Sequence, residues 1–168
     1  MKVRAETRHD HEPVHALNAA AFESDAEADL VDTLRTEANP VISLVAEVDG
    51  AAVGHILFSP VTLTGHEDRL WLALAPMAVR PEVQRRGIGS ALVRAGLERC
   101  RELSAAAVVV LGHPRFYPKF GFVPSTRYAI RSDYNVPEEV FMILELEEGA
   151  LTGVSGTVKY HPAFADLS

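Results

Sequence analysis

The segment Gln84-Arg85-Arg86-Gly87-Ile88-Gly89-Ser90 sets two arginines and two glycines where one pattern gives way to another. Before it, Leu70 to Val79 reads as a buried strand; after it, Gly87 to about Leu103 reads as a helix. Glycines at 87 and 89 let a ligand approach the backbone and leave N–H groups free at the helix start. Guanidinium groups add charge-assisted hydrogen bonds to phosphate oxygens, and the helix dipole favours an anion there. The chemistry is capture of a phosphate or pyrophosphate. A plain helix start with a flexible turn would also carry glycine, so spacing alone leaves both readings open. Two other phosphate motifs are excluded. Gly-x4-Gly-Lys-Ser/Thr is absent, and Leu92 stands where a dinucleotide fingerprint needs a third small residue.

A second element, His113-Pro114-Arg115-Phe116-Tyr117-Pro118-Lys119-Phe120-Gly121-Phe122, follows a strand that the pattern makes parallel to the first. Ligands of open α/β sheets favour that sheet end. Tyr117 supplies a phenol that could protonate a leaving thiolate. Alone, such a tyrosine is more often a core aromatic with a satisfied hydroxyl.

Taken together, Leu74-Ala75-Pro76-Met77-Ala78-Val79-Arg80-Pro81, then Gln84-x-x-Gly87-x-Gly89, then Tyr117-x-x-x-Gly121-Phe122 closely resemble the GNAT superfamily of acyl-CoA-dependent N-acetyltransferases. The resemblance implies acetyl-CoA as acyl donor and a primary amine as acceptor. The amine would attack directly in a ternary complex, with Tyr117 protonating the coenzyme thiolate. Met77, Ala78 and Val79 match the strand along which the pantetheine arm lies, the backbone groups of Met77 and Val79 pairing with it. Arg85, Arg86, Gly87, Gly89 and Ser90 match the pyrophosphate loop, and Gln84 the motif's first position. Phe116 and Arg115 match the cofactor's exit side. The implied fold is mixed α/β, a mostly antiparallel central sheet with one parallel, splayed strand pair, flanked by helices. Pro76, lacking an N–H, would help to interrupt pairing there. The rival on the same fold is a non-catalytic acyl-CoA-binding regulatory module.

The elements that must position these residues fit one domain over 1–168. Asp10 reads as the N-cap of a helix carrying Val14 and Leu17 and closing at Phe22; Ser24 or Asp25 caps a second, ended by Asn39-Pro40. Ile42 to Val48, the turn Asp49-Gly50 and Ala52 to Leu63 form a hairpin, its second strand interrupted near Ser59-Pro60. Leu70 to Val79, the helix and Ala106 to Leu111 make one βαβ unit. Arg115 to Phe120 is a helical turn, and strands follow near Phe122 and over Glu139 to Leu146. The tail from Gly149 carries no clear pattern, and Tyr160 to Leu167 is free to pack on its own domain or on a second copy as a homodimer.

Composition narrows the classes. The chain is 48% apolar and 23% charged, an ordinary globular balance. A net charge of −7 argues against nucleic acid as a partner. No apolar run approaches the roughly 20 residues of a membrane span, and no signal core leads the N-terminus, so the expected location is cytoplasmic. Cys100, the one cysteine, lies in the helical pattern and reads as a buried, inert thiol.

Several other residues have competing readings. His11-Glu12-Pro13-Val14-His15 matches the zinc string H-E-x-x-H, yet Pro13 and Asp10 suit a capped helix start, and no metal is expected. His55 reads as a core histidine before an acceptor-pocket one. Glu23, Asp25 and Glu27 border the acceptor region that the resemblance implies, but they equally suit a solvated cap and first turn. His113 stands near the ligand end of the sheet with no assigned role.

Overall fold

The computed structural model describes residues 1–167. In chain order its elements are β1 (Lys2–Ala5), α1 (His11–Phe22), α2 (Ala26–Glu37), β2 (Ile42–Val48), β3 (Ala51–Leu63), β4 (Trp71–Val79), α3 (Ile88–Glu102), β5 (Ala107–Leu111), β6 (Val123–Pro124), β7 (Ile130–Ser132), β8 (Phe141–Glu145) and β9 (Gly156–Lys159). The strands hydrogen-bond in the order β1-β2-β3-β4-β5-β8-β6, mostly antiparallel, with β4 and β5 parallel. This is the mixed α/β class expected. The chain divides into two compact units, and β3, β4 and α3 each contribute residues to both.

The first unit holds 1–59, 75–98 and the described residues from 162 onward. β1 pairs antiparallel with β2 from Lys2↔Glu47 to Ala5↔Leu44, and β2 with β3 from Ile42↔Phe58 to Val48↔Ala51. Asp49 (φ 52°) and Gly50 (φ 81°) are both left-handed, the conformation whose twist suits a two-residue hairpin loop. The helices bury stripes at helical spacing: Val14 and Leu17 on α1, Ala28, Val31 and Leu34 on α2, and Ile88, Leu92 and Val93 on α3. Gly96 on α3 is a notch, since a Cβ there would overlap the Phe58 ring.

Asp10 sits at the cap position of α1 but does not cap it. Its carboxylate turns back to accept from the Thr7 amide (2.7 Å) and from Arg4 Nη1 (2.7 Å) and Nη2 (3.0 Å). Arg4 is the stronger claimant, and it holds the Asp10 carboxyl well below the usual carboxylate range. At α2 the hydroxyl of Ser24 accepts from the Ala26 amide (3.1 Å), while Asp25 makes no side-chain cap. The C-terminal turn Pro162–Leu167 packs on α2 and buries Phe164.

The second unit holds 60–74 and 99–161. β4 and β5 pair in parallel from Trp71↔Ala107 to Leu74↔Val110, and the ladder ends there. β5 pairs antiparallel with β8, and β8 with β6. The core gathers Trp71, Val109, Phe141, Ile143, Leu151 and Val158. α3 stops where Ser104 turns left-handed (φ 59°). The Ala105 amide bonds back to the Cys100 carbonyl (3.1 Å) and the Ser104 amide to that of Arg101 (2.9 Å).

Two further features depart from expectation. β3 is continuous through Pro60, but it changes partner: β2 up to Phe58, β9 from Thr62. β7 and β9, absent from the sequence reading, form a second, short parallel ladder from Ile130↔Gly156 to Ser132↔Val158. Strands of three and four residues offer too little alternation to register as a period.

Candidate active site

The candidate phosphate loop is built from the end of β4. The Arg80 amide donates to the Val53 carbonyl of β3 (2.8 Å). Strand alternation therefore turns the backbone groups of Ala78 toward β3, and those of Met77 and Val79 to the opposite side. Pro81 opens a single 3-10 turn over Pro81–Val83, for which its fixed φ and missing N–H are suited. The Gln84 side chain then donates its Nε2 to the Val79 carbonyl (3.0 Å), pinning the loop to the strand. Gln84 is thus a positioning residue within the loop.

Arg85 (φ 66°) and Gly87 (φ 84°) both take left-handed conformations. A non-glycine residue there carries a cost, and such strain gathers at ligand sites. Among the described residues, the amides of Arg85, Arg86 and Gly87 donate no hydrogen bond, and neither guanidinium has an ion pair. No atom lies within 4 Å of where a Cβ on Gly87 would stand. Successive undonated amides in turned backbone, leading into the 15-residue helix α3, form an anion-binding concavity. Gly89 and Ser90 follow, half-buried in the first turn of α3.

Tyr117 begins a 3-10 turn, Tyr117–Phe120, closed by Gly121 (φ 102°). Its ring is 8% exposed and packs edge-on against Phe116 (5.0 Å between centroids) and Phe122 (5.7 Å). Gly112 makes the seat, because a Cβ there would overlap the Tyr117 ring. Sequence reasoning missed Gly112; a glycine after a strand carries no signal of what its missing side chain admits. The ring is core, but the hydroxyl has no hydrogen-bond partner among the described residues and is not one of the sealed, unpaired polar atoms. The oxygen therefore reaches solvent. Burial pushes the phenol up to about 12, so it stays protonated across the neutral range. Phe116 is half-buried, with Lys119 Nζ 4.5 Å over its ring.

The remaining candidates separate. His55 is fully buried and in the core, as the first reading had it. Asn18 Nδ2 donates to its Nδ1 (3.2 Å), so the proton sits on Nε2, which donates to Ser43 Oγ (2.9 Å). Burial drives its pKa down to about 4, keeping it neutral. Cys100 is sealed, its thiol pushed up to about 12 by burial. His113 is exposed, and its Nδ1 accepts the Arg115 amide (3.2 Å). Glu23 and Asp25 are exposed and Glu27 half-buried, none with an ion pair among the described residues. His11 is the first residue of α1, and His15 one turn on gives Nδ1 to Asp32 (2.9 Å). The described residues whose ligand atoms approach within 4.8 Å are His15, Asp29 and Asp32, without His11, and Asp32 is also held by Arg35 (2.8 Å). The zinc string therefore does not assemble as a string.

A strand leading through a turn with undonated amides into a helix, and a tyrosine with an unpartnered hydroxyl after the parallel strand, are the features expected of an acyltransferase. The chain belongs to the acetyltransferase (GNAT) family, whose model matches residues 7–122. It is 39% identical to the uncharacterized N-acetyltransferase YhbS of Escherichia coli K12 over 98% of each chain. The crystal structure of YhbS from Escherichia coli in complex with CoA superposes with a TM-score of 0.91 at 37% identity, over 98% of this chain and 91% of that one. A GNAT family acetyltransferase from Brucella melitensis in complex with acetyl-CoA gives 0.80 at 34% identity, over 97% of both chains. Among the described residues no helix is long and apolar enough to cross a membrane.

Proposed function

We propose that residues 1–168 act as one acetyltransferase domain, moving an acetyl group from acetyl-CoA to a primary amine by direct attack in a ternary complex. The amides and guanidinium groups of Arg85 and Arg86, with Gly87, Gly89 and Ser90, hold the pyrophosphate. Met77 and Val79 offer backbone groups to the pantetheine arm, an N–H there polarising the thioester carbonyl. Ala78 supports that strand, and Phe116 covers the arm. Crystallisation of relatives with CoA and acetyl-CoA supports the donor.

In the reaction the amine nitrogen bonds to the carbonyl carbon, the C–S bond breaks, and the nitrogen gives up a proton. The products are an N-acetyl amine and the coenzyme thiol. Tyr117, which stays protonated across the neutral range, gives its proton to the sulfur as the C–S bond breaks. The phenol is restored from solvent, which also takes up the proton that the nitrogen loses.

The observation that carries this reading is the Tyr117 hydroxyl, presented by a buried ring and used by no other part of the described chain. A module that only bound acyl-CoA would have no need of it. Purified protein given acetyl-CoA and a panel of primary amines is expected to release coenzyme thiol and to yield an acetylated amine by mass spectrometry. Tight acetyl-CoA binding with no release on any amine would replace catalysis by the binding-module reading.

A further inference from the structure

The second unit contains a cavity of about 490 Å³ whose walls come from the segment between β6 and β8. Its volume lies within the range of small-molecule sites, about 300–1,000 Å³. Arg131, Asp133 and Glu138 all line it, yet none has an ion pair among the described residues. Ser125, also in the wall, is fully buried with a hydroxyl that finds no hydrogen-bond partner. A buried hydroxyl without a partner is uncommon and needs a reason. The lining also includes Tyr134 and Phe141.

These walls are held in place, although much of the segment is loop. Arg131 lies in the β7–β9 ladder, the Asp133 amide donates to the Val158 carbonyl (3.0 Å), and the Tyr134 amide to Ser132 Oγ (3.0 Å). Phe141 is buried and paired with Leu111 of β5. The next residue of that strand's end, Gly112, donates to the Val140 carbonyl (2.9 Å) and is the seat of the Tyr117 ring. One wall of the cavity is therefore continuous with the residues that place Tyr117.

The charges select among amines. A simple amine or polyamine would satisfy the two carboxylates but leave Arg131 facing a cation. A simple acid would meet Arg131 and be opposed by two carboxylates. A molecule with an ammonium at one end and a carboxylate at the other satisfies both signs. We propose that this cavity is the acceptor subsite and takes an amine that also bears a carboxylate, of amino-acid or dipeptide size. Arg131 receives the carboxylate, and Asp133 and Glu138 face the ammonium. The word acceptor rests on the acetyl-transfer reading; the binding does not.

The test separates the two. Isotope-labelled protein without acyl donor is titrated with L-amino acids, dipeptides and the carboxamide of each, and thiol release is followed in parallel. At least one free acid is expected to shift amide signals of residues 125–136 and 141, and its carboxamide to bind at least 10-fold more weakly. Arg131→Gln, at an exposed position, is expected to abolish that preference while acetyl-CoA affinity stays within 2-fold. Asp133→Asn should weaken the free acid and its carboxamide alike. Selective binding without thiol release upholds the subsite and sinks the transfer reading. Thiol release with amines whose carboxylate makes no difference sinks the subsite and upholds transfer. Equal binding of acid and carboxamide, shifts mapping elsewhere, or no shift from any member of the panel overturns the proposal.

Discussion

Gly87 has no atom within 4 Å of where its Cβ would be, whereas the corresponding space at Gly112 is filled by the Tyr117 ring. Gly87 is needed for its φ of 84° and Gly112 for its missing volume. The regions around them follow suit. Arg85 to Gly87 is exposed, unpaired and shaped by backbone conformation, while Tyr117 is buried and shaped by packed rings. A site for a diffuse anion needs donors that can be approached. A site for one proton needs an oxygen that cannot wander. The lesson is that the same residue type guards conformation in one place and volume in the other.

Substitutions can pull these roles apart. Tyr117→Phe keeps the packing and removes the proton. Turnover is expected to fall by about 10²- to 10⁴-fold, the usual span for a positioned acid. Acetyl-CoA affinity by calorimetry should stay nearly unchanged; undiminished turnover would take Tyr117 out of the mechanism. Gly112→Ala attacks the same residue through its seat. Overpacking typically costs about 1–3 kcal/mol, so the denaturant midpoint should drop and turnover fall with it. A variant as stable as the parent would show that the seat yields.

Gly87→Ala meets no steric obstacle, and its cost is the left-handed backbone, about 1–2 kcal/mol. An exposed loop sheds that cost by relaxing, so acetyl-CoA should bind roughly 10-fold more weakly while the unfolding midpoint barely moves. A fall in the midpoint without a change in affinity would reverse the assignment. The smallest effect is one of shape. Because the Tyr117 phenol is raised to about 12, it loses its proton only as pH climbs toward that value. Between pH 6 and 10 the profile of kcat should have the same inflections in parent and Tyr117→Phe, displaced only in height. An alkaline inflection near pH 9 lost in the variant would show that the phenol is not so raised.

What the sequence made legible follows the physics of each region. β2, its Asp49-Gly50 turn and β4 announce themselves through apolar runs and turn chemistry. The candidate phosphate loop does so through glycine and arginine spacing, and the candidate Tyr117 through its place after β5. Asp10 shows the limit of local reasoning. Its carboxylate is taken by Arg4, six residues away, which outcompetes the helix amides it was expected to cap. The partner change along β3 and the ladder of β7 with β9 depend on segments distant in sequence, where no short window carries a signal. The charged cavity was invisible for the same reason: Ser125, Arg131, Asp133 and Glu138 share no period, and only the fold makes them neighbours.

The sealed state of Cys100 has a practical use. A thiolate must form before a sulfhydryl reagent can react, and here burial keeps the group protonated and out of reach. A disulfide chromophore added to the native protein will therefore report the coenzyme's sulfhydryl against a flat blank. Any slow colour without acceptor amine becomes a gauge of unfolding rather than of turnover, so one cuvette monitors both the reaction and the integrity of the catalyst.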